Sequence, residues 1–246
     1  FIELRRGRKY FAWRNKVLKL LRKDFFYITL AQSSSGIEGR DEKTSIFPDN
    51  IIIISSGGRG HIPVQLFLKE ENPNNYLIPD SFKYQIMFAG QIKNHPIRAE
   101  MVHYYLSIFG KQFKYHKHFI NWRKEYSKAK FILAPRGYGR NSFRLTEILQ
   151  TGRIPIYIYN DLIWLPYYDS INWASFSIVA HSQFLNLTIS KIFNTNYRQI
   201  FQMRQKIIRL FDSHFSINGT FHQISLFMRY GFSRSDLRCI KFLPYR

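Results

Sequence analysis

One pattern constrains this chain more than any other: a short, uninterrupted apolar run that stops at a glycine-bearing loop. Ile51 to Ile54 are β-branched residues in a row, and Ser55-Ser56-Gly57-Gly58-Arg59-Gly60-His61 follows at once. Tyr84 to Ala89 leads to Gly90, a polar loop and a helical pattern from about Ile97 to Phe109. Lys130 to Ala134 leads to Pro135-Arg136-Gly137-Tyr138-Gly139 and a helical pattern from Ser142 to about Gln150, and Ile154 to Tyr159 supplies a further run. Strands apolar on both faces belong to parallel sheets, and their alternation with helices of about ten residues marks βαβ units. The fold class expected is therefore α/β, a layered sheet with helices on both faces. Ligands of such sheets lie at the carboxyl ends of the strands, where these glycine loops fall. From Ser182 onward the pattern is mostly helical, through Ile192, Phe201 and Ile208 and again from Thr220 to Tyr230.

A length of 246 residues admits one large domain or two compact lobes. Lys and Arg number 37 against 16 Asp and Glu, and the formal charge of +21 directs the chain toward polyanions: nucleic acid, anionic headgroups or phosphorylated small molecules. Nucleic acid is the less favoured partner, because the basic residues are spread throughout and no zinc-finger spacing or RNA-binding signature occurs. The single cysteine, Cys239, excludes an intrachain disulfide and fits a cytoplasmic setting. Between Leu4 and Lys23, basic residues interleave with Phe11, Trp13, Val17, Leu18, Leu20 and Leu21 at helical spacing. Such a basic amphipathic helix either packs on its own domain or touches a membrane surface. No stretch approaches the roughly 20 apolar residues of a bilayer span. The numbering starts at Phe1 rather than a Met, which leaves room for an upstream anchor or domain. Gln32 to Thr44 reads as a mobile loop.

The third glycine loop carries the most chemistry. Glycines let a backbone approach an anion closely, and Ser142 can cap the helix behind them, so the loop reads as a phosphate cradle with guanidinium groups nearby. Arg144 and Glu147 share one helix face. They form either an intrahelical ion pair of small value or a site in which Glu147 accepts hydrogen bonds from ribose hydroxyls. His116 and His118 stand on one side of a strand, but no Cys or carboxylate accompanies them closely and lysines flank them, so metal binding is not expected.

The run Phe131 to Ser177 contains Pro135-Arg136-Gly137-Tyr138-Gly139, Ser142-Phe143-Arg144, Glu147, Gly152, Ile154-Pro155, Asp161, Leu165-Pro166, Asn172-Trp173 and Phe176-Ser177. It resembles the carboxy-terminal signature of the exostosin family, glycosyltransferase family 47. Upstream, Phe88-Ala89-Gly90 followed by Arg98 is similar to the family's strand, glycine and downstream arginine, and Gly57-Gly58-Arg59-Gly60-His61 to its Gly-Gly-Arg-Asp-His motif. The resemblance covers roughly Ile51 to Ala180. It implies a GT-B-like α/β fold of two Rossmann-like lobes, with a shortened N-terminal lobe and a mostly helical C-terminal end. The acceptor-side lobe is expected over 1–80 and the nucleotide-sugar lobe over 81–246.

The resemblance also implies inverting transfer of a sugar from a UDP-sugar donor to a glycan acceptor, with no metal required. Arg98, helped by Ser142 and Arg144, is expected to stabilise the departing diphosphate, and Glu147 to hold the ribose. Arg136 can reach phosphate, and Tyr138 either stacks on uracil or packs in the core. His61 is the expected base, with the carboxylates Glu38, Asp41 and Glu42 as competitors. Among the donors relatives use, xylose is the expectation retained, since a compact first lobe and cytosolic character differ from the animal heparan polymerases. Two departures stand out: Gly60 replaces the family's Asp, and Arg153 and Ala134 occupy positions where Cys is common. The competing readings are an inactive exostosin-like glycan-binding or partner subunit, and a basic nucleic-acid-binding protein.

Overall fold

The computed structural model describes residues 16–37, 48–58, 60–117 and 121–230. In it the apolar runs assemble into two parallel sheets. Strands β1 (Tyr27–Ala31), β2 (Ile51–Ser55) and β3 (Ile62–Pro63) form the first, in that order. Strands β4 (Tyr84–Ala89), β5 (Phe113–His116), β6 (Ala129–Pro135), β7 (Ile154–Tyr159) and β8 (Ile178–His181) form the second, ordered β5-β4-β6-β7-β8. Every pairing is parallel. The helices are α1 (Pro96–Phe109), α2 (Trp122–Tyr126), α3 (Phe143–Gln150), α4 (Asn186–Asn194), α5 (Tyr197–Leu210) and α6 (Ile217–Tyr230), and residues 16–20 are also helical. This is the expected α/β, GT-B-like arrangement: two Rossmann-like lobes, the first short, with a helical carboxyl end.

Burial explains why the runs are unbroken. Every residue of β2 is buried, and so are Ile86, Phe88, Phe131, Leu133, Ile156 and Ile158 of the larger sheet. Met101 and Tyr105 of α1 and Ile148 and Leu149 of α3 complete that core. Each fully buried side chain of this size contributes about 1.5–3 kcal/mol of transfer free energy.

The strand order locates the cleft. The chain leaves β4, crosses to β5 on one side, then returns to form β6 on β4's other side. Connections that diverge from neighbouring strands open a crevice at their carboxyl ends. Here those ends are Ala89 and Pro135, which feed the two glycine loops of the second lobe.

The lobes are stitched together by polar side chains. Gln65 Nε2 donates to Phe215 O (2.8 Å) and Thr220 Oγ1 (2.7 Å), and Thr146 Oγ1 donates to Leu66 O (2.8 Å). Asn141 Nδ2 donates to Ser56 O (2.8 Å), and Trp164 Nε1 to Gly58 O (3.0 Å). Of the expected mobile loop, residues 32–37 form a turn held against both lobes, with Gly36 at φ 67°. Most of the basic amphipathic segment lies outside the described residues. Among the described residues, no helix is long and apolar enough to cross a membrane.

Candidate active site

Arg98 is placed by a rigid helix start. His95 is the N-cap of α1, its Nδ1 accepting from Ile97 N (3.3 Å), and Pro96 occupies the first helical position, where a missing amide hydrogen costs nothing. Arg98 follows in the first turn, 4% exposed. Its Nε donates to Arg136 O (2.8 Å), its Nη1 donates to Gln91 O (3.1 Å), and its guanidinium lies 5.7 Å from the centre of the Phe88 ring. No carboxylate pairs with it among the described residues. Burial, and then the positive charge of Arg144, push its pKa down to about 10. A buried cation without a counter-ion is costly, so this geometry suits an anion that arrives from outside.

The loop backbone comes close to it. A Cβ added at Gly137 would stand 3.4 Å from Asn141 O, 3.6 Å from Arg98 Nη2 and 3.7 Å from Ser142 Cβ, so this glycine brings guanidinium, loop and helix start to within contact of one point. Ser142 occupies the N-cap position of α3, but its side chain makes no capping hydrogen bond. That corrects the capping expectation: Asn141 Oδ1 accepts from Ser142 N (2.8 Å), while Asn141 Nδ2 is committed to Ser56. The positive end of α3 thus carries no hydrogen bond from its N-cap side chain.

Arg144 and Glu147 do form the ion pair that spacing allowed, but inside the protein rather than on its surface. Arg144 Nη1 contacts Glu147 Oε2, which also accepts from Tyr126 Oη (3.3 Å), and Arg144 Nη1 donates to that Oη (3.2 Å). Burial raises the Glu147 pKa, opposed by the charge of Arg144. Oε2 is taken, and Oε1 accepts no hydrogen bond among the described residues.

Arg136 is committed differently. Its Nη1 donates to Asp161 Oδ2 (2.9 Å) and Asn160 Oδ1 (3.0 Å), and Arg140 Nε shares the same Asp161 oxygen (3.0 Å). Arg136 Nε and Asp161 Oδ1 are buried without partners. Tyr138 is 48% exposed, so its ring is not core packing. Two nearby residues carried no assignment from sequence. Phe143, first in α3, is 45% exposed, and His95 interacts electrostatically with Arg136, Asp161 and Arg98. A His-Pro pair at a helix start was the available signal for the second.

The glycine loop is divided in its tasks. Gly137 faces Arg98, whereas Gly139 meets the first lobe: Gly139 N donates to Ser34 Oγ (3.3 Å), and Asn141 N to Ser34 O (3.4 Å). A Cβ on Gly139 would stand 1.9 Å from Ser34 O, and one on Gly57 2.2 Å from the same oxygen. The cradle expected of the whole loop is therefore partly filled by Ser34.

On the first lobe, the His61 Nδ1 accepts from Ile53 N (2.9 Å), and burial lowers the ring's pKa. A neutral ring with Nδ1 as acceptor carries its proton on Nε2 and presents a donor, not a lone pair. Glu38, Asp41, Glu42 and Arg59 lie outside the described residues. Gly60 is half-buried, and a Cβ there would stand 2.6 Å from Ser55 Cβ, so the position is too crowded for the Asp that the family resemblance would place at it. His116 Nε2 lies 3.5 Å from Glu125 Oε2, and His118 is outside the described residues. Among the described residues no cluster of three metal-ligating side chains occurs.

A family model described as the Exostosin GT47 domain matches residues 62–191. Exostosin-1 of Bos taurus is 31% identical over 97 residues, which are 39% of this chain and 13% of that protein. A probable glycosyltransferase of Arabidopsis thaliana is 26% identical over 99 residues, 40% of this chain and 19% of the relative. The matches thus span less than a fifth of each relative's length. Among solved structures, a glycosyltransferase from Rickettsia africae superposes with a TM-score of 0.51 at 11% identity, covering 91% of this chain and 68% of that one. That likeness is one of fold.

Proposed function

The chain belongs to the Exostosin GT47 domain family, and from that premise we propose that it is a glycosyltransferase passing a sugar from a UDP-sugar to a glycan acceptor, with inversion at the anomeric carbon. The observation that carries this reading is Arg98: a buried guanidinium at the switch point of a parallel sheet, without a carboxylate partner among the described residues and close to a helix amino end. In the transfer step the acceptor oxygen attacks the anomeric carbon as the bond to the diphosphate breaks. Negative charge grows on the leaving oxygens, and preorganised cations and helix amides stabilise that growth. Arg98 supplies the charge, the uncapped start of α3 supplies amides, and Ser142 stands between them.

Glu147 Oε1 is oriented by the Arg144 and Tyr126 contacts on its other oxygen, and in this reading it accepts the ribose hydroxyls. The exposed rings of Tyr138 and Phe143 offer stacking surfaces for uracil. The acceptor proton must pass to a base on the first lobe. His61 can take it at Nδ1 only by giving up the Ile53 amide, so Glu38 and Asp41 are the carboxylates to substitute first.

One second reading has specific support. The crowded position at Gly60 and the Ser34 contact on the loop amides suit a glycan-binding or partner subunit that holds no donor.

Thermal denaturation against UDP and a panel of UDP-xylose, UDP-glucuronic acid, UDP-N-acetylglucosamine, UDP-galactose and UDP-arabinose tests both, because a ligand bound only by the folded state raises the melting temperature. UDP is expected to stabilise the protein, with one sugar nucleotide then supporting transfer. No stabilisation by any uridine diphosphate compound overturns the first reading and favours the second, whereas stabilisation without turnover on any acceptor overturns the transfer step alone.

A further inference from the structure

A second recess lies away from the donor cleft. A groove of about 750 Å3 runs between α4, α5 and the start of β8, and a hollow of about 280 Å3 shares Ser175, Lys206 and Arg209 with it. Lys191, Lys206 and Arg209 line the groove and, among the described residues, no carboxylate does. None of the three forms an ion pair among the described residues. Arg209 Nε donates to Gln205 O (3.3 Å), which fixes the stem of one cation along the helix. Gln202, Gln205 and Phe201, the last 48% exposed, complete the wall used here.

The groove opens at the amino end of β8, whereas the donor cleft lies at the carboxyl ends of β4 and β6. Since all five strands are parallel, the two sites face opposite ends of one sheet, separated by the strand length, about 20 Å at roughly 3.3 Å per residue.

We infer that this groove is a second saccharide site, which holds a segment bearing carboxylate or sulfate groups. Charge-assisted hydrogen bonds from the three cations fit the anionic groups. Glutamine amides, each donor and acceptor at once, fit sugar hydroxyls, and a half-exposed aromatic ring fits an apolar sugar face. A flat anionic bilayer cannot follow a recess, and a single strand of nucleic acid asks for a series of stacking rings, whereas among the described residues Phe201 is the one ring that lines this groove. Its use as a hold on the acceptor chain rests on the proposed transferase reading, whereas the binding itself does not.

The test is titration of the whole chain with oligogalacturonate, a sulfated dextran oligosaccharide and neutral dextran of equal length. The acidic sugars are expected to bind with strong salt dependence, and the neutral one not to bind. Lys206→Glu combined with Arg209→Glu should weaken acidic binding by at least about tenfold. The control pair Lys23→Glu and Lys111→Glu, which lowers net charge equally, should leave it within about twofold. Lys206→Gln with Arg209→Gln, checked by its melting curve, covers the case in which the charge reversals disturb folding. Equal binding of neutral dextran, or equal loss in the control pair, overturns the inference. Binding of phosphatidylserine vesicles or a DNA oligonucleotide through Lys206 and Arg209 without the acidic sugars overturns the choice of ligand. Loss of UDP binding with acidic binding intact would count against the donor site alone.

Discussion

Arg98, in the first turn of α1, and Arg204, midway along α5, are both buried arginines without a carboxylate partner among the described residues, yet their surroundings differ in kind. Arg204 is caged by carbonyls: Nη1 donates to Thr151 O (3.4 Å) and Gly152 O (3.2 Å), and Nη2 donates to Pro73 O (2.9 Å) and Tyr76 O. The cage is tight enough that a Cβ on Gly152, which has φ 60°, would stand 2.0 Å from Arg204 Nη1. That guanidinium ties the segment after the first lobe to the end of α3, and its hydrogen-bonding capacity is spent on doing so. Arg98 reaches only two carbonyls among the described residues, and its Nη2, close to Gly137, donates to neither. Burial of a charge is thus no sign of function by itself; donor capacity left over beside a glycine loop is what separates the two.

The sharpest way to break this contrast is to remove each arginine in turn. Arg204→Met should cost about 3–5 kcal/mol of folding stability, because the cage carbonyls lose their donor together. Urea denaturation reads that loss, while UDP affinity of the folded fraction should be unchanged. Arg98→Met should lower UDP affinity by about thirtyfold or more by calorimetry, at a stability cost of about 1 kcal/mol. If the two variants exchange these effects, the contrast fails. A smaller effect sharpens it: Tyr126→Phe removes the hydroxyl shared by Arg144 and Glu147, and should cost about 1 kcal/mol and loosen UDP binding only a few-fold.

The pH response is expected to be the mildest. Burial holds the pKa values of His61, His95 and His214 below the ordinary 6.5. As pH falls through 6.5 the unfolded rings take protons before the folded ones do, so the unfolded state binds more protons and stability declines. Melting temperatures should therefore drop on acidification from about pH 7 to about pH 5.5. The decline should be unchanged in the Arg204 variant and slightly shallower in the Arg98 variant, because the Arg98 charge contributes to lowering the His95 pKa.

The second lobe was readable because its strands are covered on both faces and therefore run apolar without interruption. Strand β1 was not: its residues alternate half-buried and exposed, with Ile28 and Leu30 outward, and it ends in a serine-rich turn. Strand β3 spans only Ile62 and Pro63, and β8 follows a turn with no glycine loop after it, so neither carried the repeated signal. Within the site, the family pattern singled out Arg98, and spacing allowed the Arg144 and Glu147 pair. Nothing local revealed the burial of that pair, which depends on Tyr126 from a separate helix. The tie between Gly139 and Ser34 spans 105 positions of chain, a distance over which no motif or periodicity speaks.

That same tie has a consequence for how the protein would meet its donor. Ser34 offers a carbonyl and a hydroxyl to amides that a phosphate oxygen would also seek, so under the proposed transferase reading serine turn and nucleotide would compete for one seat. The measured dissociation constant for UDP would then equal the intrinsic one divided by the fraction of molecules in which the seat is vacant. A change that loosens the turn, far from any atom of the nucleotide, would tighten binding without adding a single contact.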